Sequence, residues 1–147
     1  MPFTENSSKD DTGRSVRRAE IAKTWSFDAA HHLPSHAGKC RNPHGHTYTV
    51  EAVVEGEVKQ PRGESDDGMV VDFGTLSAIW KEHLEPRLDH QDLNESIGAD
   101  GCWPTTAENI AHWIALTFRS RGAPVSRLSV WETPSGRATV YYGTDDV

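Results

Sequence analysis

Residues able to bind a metal ion or carry a proton crowd into Lys39-Cys40-Arg41-Asn42-Pro43-His44-Gly45-His46, and His31 closes the nearby run Phe27-Asp28-Ala29-Ala30-His31 before a second histidine, His32. Histidines two apart on a strand project from the same face, because successive side chains alternate. His44 and His46 can therefore pinch one ion, with His31 supplying a third nitrogen. Cys40 lies near enough to matter without being needed as a ligand. Three neutral imidazoles with an open fourth position is the donor set of a catalytic zinc, whereas structural zinc usually closes its tetrahedron with thiolates. The pattern points to chemistry.

The elements that must carry these residues are legible from periodicity. Trp25, Phe27, Ala29 and His31 alternate with Thr24, Ser26, Asp28 and His32, the period of a half-buried strand, so His31 belongs to the apolar face and His32 to the polar one. A second strand starts at His44: His46, Tyr48, Val50, Ala52 and Val54 share one side, and Thr47, Thr49, Glu51 and Glu55 the other. Gly56 to Gly68 is charged and carries Pro61, Gly63 and the Asp66-Asp67-Gly68 turn signal of an exposed loop. Asp72 is placed to cap a helix in which Phe73, Leu76, Ile79, Trp80, Leu84 and Leu88 keep helical spacing, with Pro86 expected to end or kink it. After a linking segment from Asp89 to Pro104, Thr105-Thr106-Ala107-Glu108 matches a capping box, followed by the stripe Ile110, Trp113, Ile114, Thr117 and Phe118. Arg127 to Thr133 and Arg137 to Tyr142, joined by Pro134-Ser135-Gly136, read as a hairpin. The order ββααββ predicts an α+β fold, a four-stranded antiparallel sheet with two helices on one face. Residues 1–18 are polar with little to bury and read as a mobile tail, leaving 19–147 as a single domain.

Composition narrows the function class. The hydrophobic share of 35% is modest for a 147-residue chain and suits a protein that completes its burial by association. With 22 acidic against 15 basic side chains the net charge of -7 argues against a nucleic-acid surface, which normally carries a basic patch, and favours a small-molecule substrate. No run approaches the roughly 20 apolar residues of a membrane span, and the first residues lack the apolar core of a signal peptide. Two cysteines, both expected to be free thiols, fit a cytoplasmic protein, and Cys102 reads as an inert loop thiol.

Phe27-x-x-Ala30-His31, Gly38-Lys39-Cys40-x-x-x-His44-Gly45-His46-x-Tyr48, Val71-Asp72-Phe73, Leu88-Asp89-His90-x-x-Leu93-Asn94, Pro104-Thr105-Thr106-Ala107-Glu108-Asn109 and Trp131-Glu132-Thr133 together resemble, in order, the motif set of the 6-pyruvoyltetrahydropterin and 6-carboxytetrahydropterin synthase superfamily. Three residues between Cys40 and His44 resemble the 6-carboxytetrahydropterin synthases of the queuosine and 7-deazapurine route, since animal 6-pyruvoyl enzymes usually have a longer interval. The resemblance implies a tunnelling fold whose subunits join their sheets into a barrel, a homohexamer built as a dimer of trimers, and active sites between subunits. It implies lyase chemistry on 7,8-dihydroneopterin triphosphate, giving 6-carboxy-5,6,7,8-tetrahydropterin, acetaldehyde and triphosphate.

Under that resemblance zinc is held by His31, His44 and His46 and stabilises charge as a substrate carbon loses its proton. Cys40, flanked by the cations Lys39 and Arg41, is the candidate base. Asp89 and His90 resemble the family's acid-base partners, the carboxylate orienting an imidazole that relays a proton, in this subunit or a neighbour. Glu132 follows Leu128 and Val130 on an apolar stripe and needs a partner; a pterin edge offers two N-H donors that a carboxylate accepts in bidentate fashion. Thr105, Thr106 and Glu108 lie where the family also contacts the pterin, although a capping box accounts for Thr105 and Glu108 without a ligand. Two alternatives stand beside this reading. One is 6-pyruvoyltetrahydropterin formation at the same zinc site, which stops after triphosphate elimination. The other is a non-catalytic, zinc-stabilised oligomeric binding module, which leaves Cys40, Asp89, His90 and Glu132 unexplained.

Overall fold

The computed structural model describes residues 7–9 and 12–143. Strand β1 (Ser7–Lys9) leads into β2 (Ser15–His31), and a 3-10 turn (Lys39–Arg41) precedes β3 (His44–Glu57). Helix α1 (Phe73–Ile79) runs through a π-helical turn (Trp80–Leu84) into α2 (Glu85–Leu88). The two-residue strand β4 (Gln91–Asp92), α3 (Leu93–Ser96), a 3-10 turn (Gly98–Asp100), α4 (Ala107–Ser120) and the hairpin β5 (Arg127–Thr133) and β6 (Gly136–Tyr141) complete the chain. The sheet order is β1-β2-β3-β5-β6, antiparallel throughout, with β4 adding a short parallel pairing to β2 at Ala29 and Ala30. Its four long strands are those expected from the sequence. The sheet is open in the single chain.

The expectation of a tail over residues 1–18 falls partly outside the described residues. Within them, Ser7–Lys9 pairs with Ser15–Arg17, and Arg18 to Glu20 pair with Glu57 to Glu55 of β3, so β2 begins well before its apolar stretch. Pairing uses backbone groups, which any sequence supplies. Val16, 6% exposed, is the buried anchor of this otherwise exposed segment.

One face of the sheet packs against the helices. Phe27 and Tyr48 are direct cross-strand partners, stacked with ring centroids 4.8 Å apart, and Trp25 stacks on Trp80 at 4.9 Å and on Phe118 at 5.6 Å. Such aromatic pairs add roughly 0.5–1.5 kcal/mol each beyond the area they bury. Leu76, Ile79, Leu84 and Leu88 from the first helical stretch and Ile110, Ile114 and Phe118 from α4 close the core from above. Pro86 does not end the first helix. It sits in the first turn of α2, directly after a π turn in which the Glu85 N-H reaches back to the Trp80 carbonyl. A proline can neither donate to the residue four before it nor tolerate that carbonyl close by, and a wider turn takes up the mismatch. The second helix begins one residue later than the capping box implied: Thr106, not Thr105, is the N-cap, accepting from the Asn109 N-H at 3.2 Å. Among the described residues no helix is long and apolar enough to cross a membrane.

Candidate metal centre and acid-base pair

The core face of the sheet turns polar at one end. Reading up the β2–β3 ladder, the cross-strand pairs are Phe27 with Tyr48, Ala29 with His46, and His31 with His44. Register thus brings together three imidazoles that local parity had only placed on the same face. Their ring centroids are 4.6 to 5.2 Å apart, and one ring nitrogen from each lies within 4.8 Å of the others. Among the described residues this is the one group of three or more histidine, cysteine or carboxylate donors close enough to share an ion.

Two of the rings are oriented by backbone carbonyls. His31 Nδ1 lies 2.8 Å from the Thr105 carbonyl and His44 Nδ1 lies 2.8 Å from the Asn42 carbonyl. A carbonyl only accepts, so each Nδ1 must carry the proton, and Nε2 is left with its lone pair free. Metal-bound histidines are held in this way, the outward N-H engaged and the inward nitrogen bare. The inward atoms support the same conclusion: Nε2 of His31 and Nε2 of His46 are buried and have no hydrogen-bond partner among the described residues. Leaving a buried polar atom unmatched costs about 1–3 kcal/mol, so a protein that keeps two facing each other has a third party to place between them. His31, 2% exposed, has its pKa pushed down, chiefly by burial and against the opposing pull of the Thr105 carbonyl. That keeps the ring neutral, as a ligand requires. The donor set and its orphaned nitrogens fit a divalent metal of the zinc type, with a fourth position not taken by a histidine or cysteine.

Glu132 approaches that position. Its carboxylate oxygens are 4.0 Å from His31 Nε2 and 3.8 Å from His46 Nε2, at the point where β5 and β6 shift register between Trp131 and Thr133. The shift lies where the carboxylate leaves the regular ladder. Tyr48 lies edge-on to His31 and His46 at 5.9 and 5.4 Å, and its buried hydroxyl also lacks a partner among the described residues. Burial first and the Glu132 charge second push the Tyr48 pKa far up, so the phenol stays protonated and remains a donor.

Asp89 and His90, on the turn between α2 and β4, form a second constellation held against β2. His90 Nδ1 is 2.9 Å from Asp89 Oδ2, Asp89 Oδ1 accepts the Asp28 N-H at 3.0 Å, and the His90 N-H donates to the Asp28 carbonyl at 2.6 Å. Both backbone groups of Asp28 thus hold the pair, with His90 in the left-handed region at φ 58°. The Asp28 N-H, and then His90, hold the Asp89 carboxyl below its usual range, and the Asp89 carboxylate raises the His90 imidazole. His90 is mostly exposed and lines an open cleft of about 620 Å³ together with Asp28, His46, Thr47 and β4. His46 and His90 thus both line this cleft, whose floor includes Asp28 and Thr47 from the sheet face opposite the histidine rings.

The remaining sequence candidates are placed as follows. Cys40 sits half-buried on the 3-10 turn leading into β3; among the described residues it makes no side-chain hydrogen bond to Asp89 or His90. Thr105 is fully buried, its hydroxyl donating to Asn94 Oδ1 at 2.9 Å, so its side chain faces the protein while its carbonyl serves His31. Thr106 has its hydroxyl engaged as the helix cap, and Glu108 is exposed on the first turn of α4. Cys102 is buried at 3% exposure, its thiol pushed up to about 11 by desolvation, which suits an inert residue. Sequence reasoning missed the carbonyls of Asn42 and Thr105 and the anchoring by Asp28. A carbonyl occurs at every position and leaves no signature in side-chain type.

Comparison with known proteins agrees with this architecture. The family model described as 6-pyruvoyl tetrahydropterin synthase matches residues 20–142. The chain is 39% identical to a 6-carboxy-5,6,7,8-tetrahydropterin synthase from Synechocystis sp., covering 82% of this chain and 92% of that one. It is 37% identical to a dihydroneopterin monophosphate aldolase from Pyrococcus furiosus, covering 78% and 90%. The solved structure of Caenorhabditis elegans 6-pyruvoyl tetrahydropterin synthase superposes with a TM-score of 0.74 at 25% identity, covering 86% of this chain and 97% of that chain.

Proposed function

The chain belongs to the 6-pyruvoyl tetrahydropterin synthase family, and from that premise we propose that it is a zinc-dependent lyase converting 7,8-dihydroneopterin triphosphate and one water to 6-carboxy-5,6,7,8-tetrahydropterin, acetaldehyde and triphosphate. Tetrahydropterin synthases are lyases, and this chain is one of them. The observation that carries the metal-dependent reading is the pair of buried, partnerless Nε2 atoms on His31 and His46, facing the same point as His44. His31, His44 and His46 would hold the ion. When bound there, a zinc ion supplies Lewis-acid stabilisation of negative charge on the substrate.

The chain's own residues divide the remaining work. Cys40, on the turn that delivers His44, removes a proton from the substrate carbon. Asp89 keeps His90 charged and aimed, so His90 can give a proton back or pass one on through the cleft it shares with His46. Glu132 accepts the paired N-H donors of the pterin edge and so fixes which carbon faces the base. Tyr48 stays a protonated donor beside that carboxylate. The open sheet edge of the single chain and the family membership support a site completed between subunits, and the homohexamer is carried over from the family resemblance.

The 6-carboxy product is favoured by the three-residue interval between Cys40 and His44 and by the 39% identity to a 6-carboxy enzyme. The likeness to a 6-pyruvoyl enzyme supports one second reading, 6-pyruvoyltetrahydropterin formation from the same substrate at the same site, stopping after triphosphate elimination. Incubating zinc-loaded protein with dihydroneopterin triphosphate and weighing the products separates them. The 6-carboxy product with acetaldehyde is expected; a 6-pyruvoyl product without acetaldehyde overturns the assignment.

A further inference from the structure

The β2–β3 ladder ends at the His31–His44 pair, so no β3 residue holds the chain beyond the most deeply buried of the three histidines. Asn94 takes over there. Its Oδ1 accepts the His32 N-H at 3.0 Å and its Nδ2 donates to the His32 carbonyl at 2.8 Å, so one side-chain amide engages both backbone groups as a residue of a partner strand would. The same Oδ1 accepts the Thr105 hydroxyl at 2.9 Å, and the carbonyl of Thr105 is the group that fixes the His31 ring. The amide is locked in one orientation: turned over, it would set an NH2 against two donors and an oxygen against a carbonyl. Asn94 is held in turn at the start of α3, its own N-H donating to Asp92 Oδ1 at 3.0 Å, two residues after β4 has paired with β2 at Ala29 and Ala30.

We propose that Asn94 is the positioning residue of the metal centre, joining through one amide the strand end that carries His31 and the carbonyl that sets the tautomer of the His31 ring. The inference rests on the metal-binding reading of His31, His44 and His46. Without Asn94 the fully buried Thr105 hydroxyl recovers a partner only by moving, and the part-buried His32 backbone, left to water, is free to move with the strand end it terminates. Either movement turns His31 Nε2 away from the point it shares with His44 and His46. Residues that orient a metal ligand typically control affinity by about 10- to 100-fold.

The test measures zinc affinity on the full chain by competition with a chromophoric chelator, together with the absorption spectrum of the cobalt-loaded protein as a signature of coordination geometry. Asn94→Ala, the near-isosteric Asn94→Asp, which keeps the acceptors and loses the donor, and Thr105→Val, which loses only the hydroxyl, should each bind zinc about 10- to 100-fold more weakly and alter the cobalt spectrum. Thr105→Ser, which retains the hydroxyl and the carbonyl, should stay within about twofold of the parent in zinc affinity and keep the parent's cobalt spectrum. If Asn94→Ala does not fold, the two shape-conserving variants decide. Folded Asn94→Asp and Thr105→Val proteins with the parent's affinity and spectrum overturn the role of Asn94 alone, as does a Thr105→Ser protein as weak as Thr105→Val. A parent protein that binds no zinc overturns the metal centre itself and this role with it.

Discussion

Zinc should raise the melting temperature of this protein, and the increment should vanish with any one of His31, His44 and His46 but survive the loss of His32. The metal-free protein carries two buried acceptors facing one another without partners, so the ion meets a site already formed. At a free zinc concentration of 100 times the parent's Kd, binding to the folded state adds about 2.7 kcal/mol, which for a chain near 150 residues is about 5–11 °C. Removing one of three ligands should weaken binding by at least about 100-fold, the upper end of what loss of an orienting partner costs. At the same zinc concentration the stabilisation then falls to about 0.4 kcal/mol, or less than about 2 °C. His46→Ala is the cleanest variant. Its side chain is only 18% exposed, but its removal also deletes an unmatched buried nitrogen, so lost packing is partly offset by about 1–3 kcal/mol of relieved desolvation. The metal-free variant should therefore melt close to the parent while losing the zinc increment. His32→Ala keeps the backbone groups that Asn94 binds and should retain the increment in full. The assay is thermal melting followed by circular dichroism, at one protein concentration, with and without buffered zinc. A zinc increment that persists in His46→Ala, or disappears in His32→Ala, refutes the strand register and the site built on it.

Cys40→Ala should keep its zinc and lose about 10²- to 10⁴-fold in turnover, and mixing it with His90→Ala subunits should recover part of the activity, checked by steady-state rates. Near-normal turnover in Cys40→Ala removes it as the base. Glu132→Gln turns one carboxylate acceptor into a donor facing the pterin's own donors, so pterin affinity measured by calorimetry should fall by about one to two orders of magnitude, equivalent to about 1–3 kcal/mol; unchanged affinity rules out the anchor. Asp89 is lowered, chiefly by the Asp28 N-H, and His90 is raised by Asp89, so the pair is charged from below the usual carboxylate range to above the usual imidazole value. The Asp89 contribution is present above the ordinary carboxylate value and lost as pH falls through the lowered one. The His90 contribution is complete below the ordinary imidazole value and lost as pH rises through the raised one. Asp89→Asn should thus bring the His90 midpoint down, seen in its proton NMR titration and in the basic limb of the rate profile, and an unmoved midpoint contradicts the pairing.

Local periodicity by itself placed His31, His44 and His46 on the apolar face and gave the four long strands and two helical stretches their order, because which way a side chain points along a strand or helix is a property of a few consecutive residues. The ordered motifs likewise carried the family, and the match over residues 20–142 bears that out. What periodicity cannot carry is register between distant segments. That His31 stands opposite His44, and that Asp28 holds Asp89 and His90 from 61 and 62 positions away, was decided by how the strands pair and pack. The early start of β2 was hidden for a related reason: residues 15–18 look like a tail in composition, yet backbone pairing draws on N-H and C=O groups that every sequence possesses. The N-cap shift from Thr105 to Thr106 came from two adjacent residues of equal capping ability. Tertiary structure resolved it by burying Thr105, where its hydroxyl meets Asn94 and its carbonyl meets His31. The sequence thus determined which side chains could bind a metal and move protons, and the fold decided which backbone groups hold them, since a carbonyl acquires its role only from what is brought beside it.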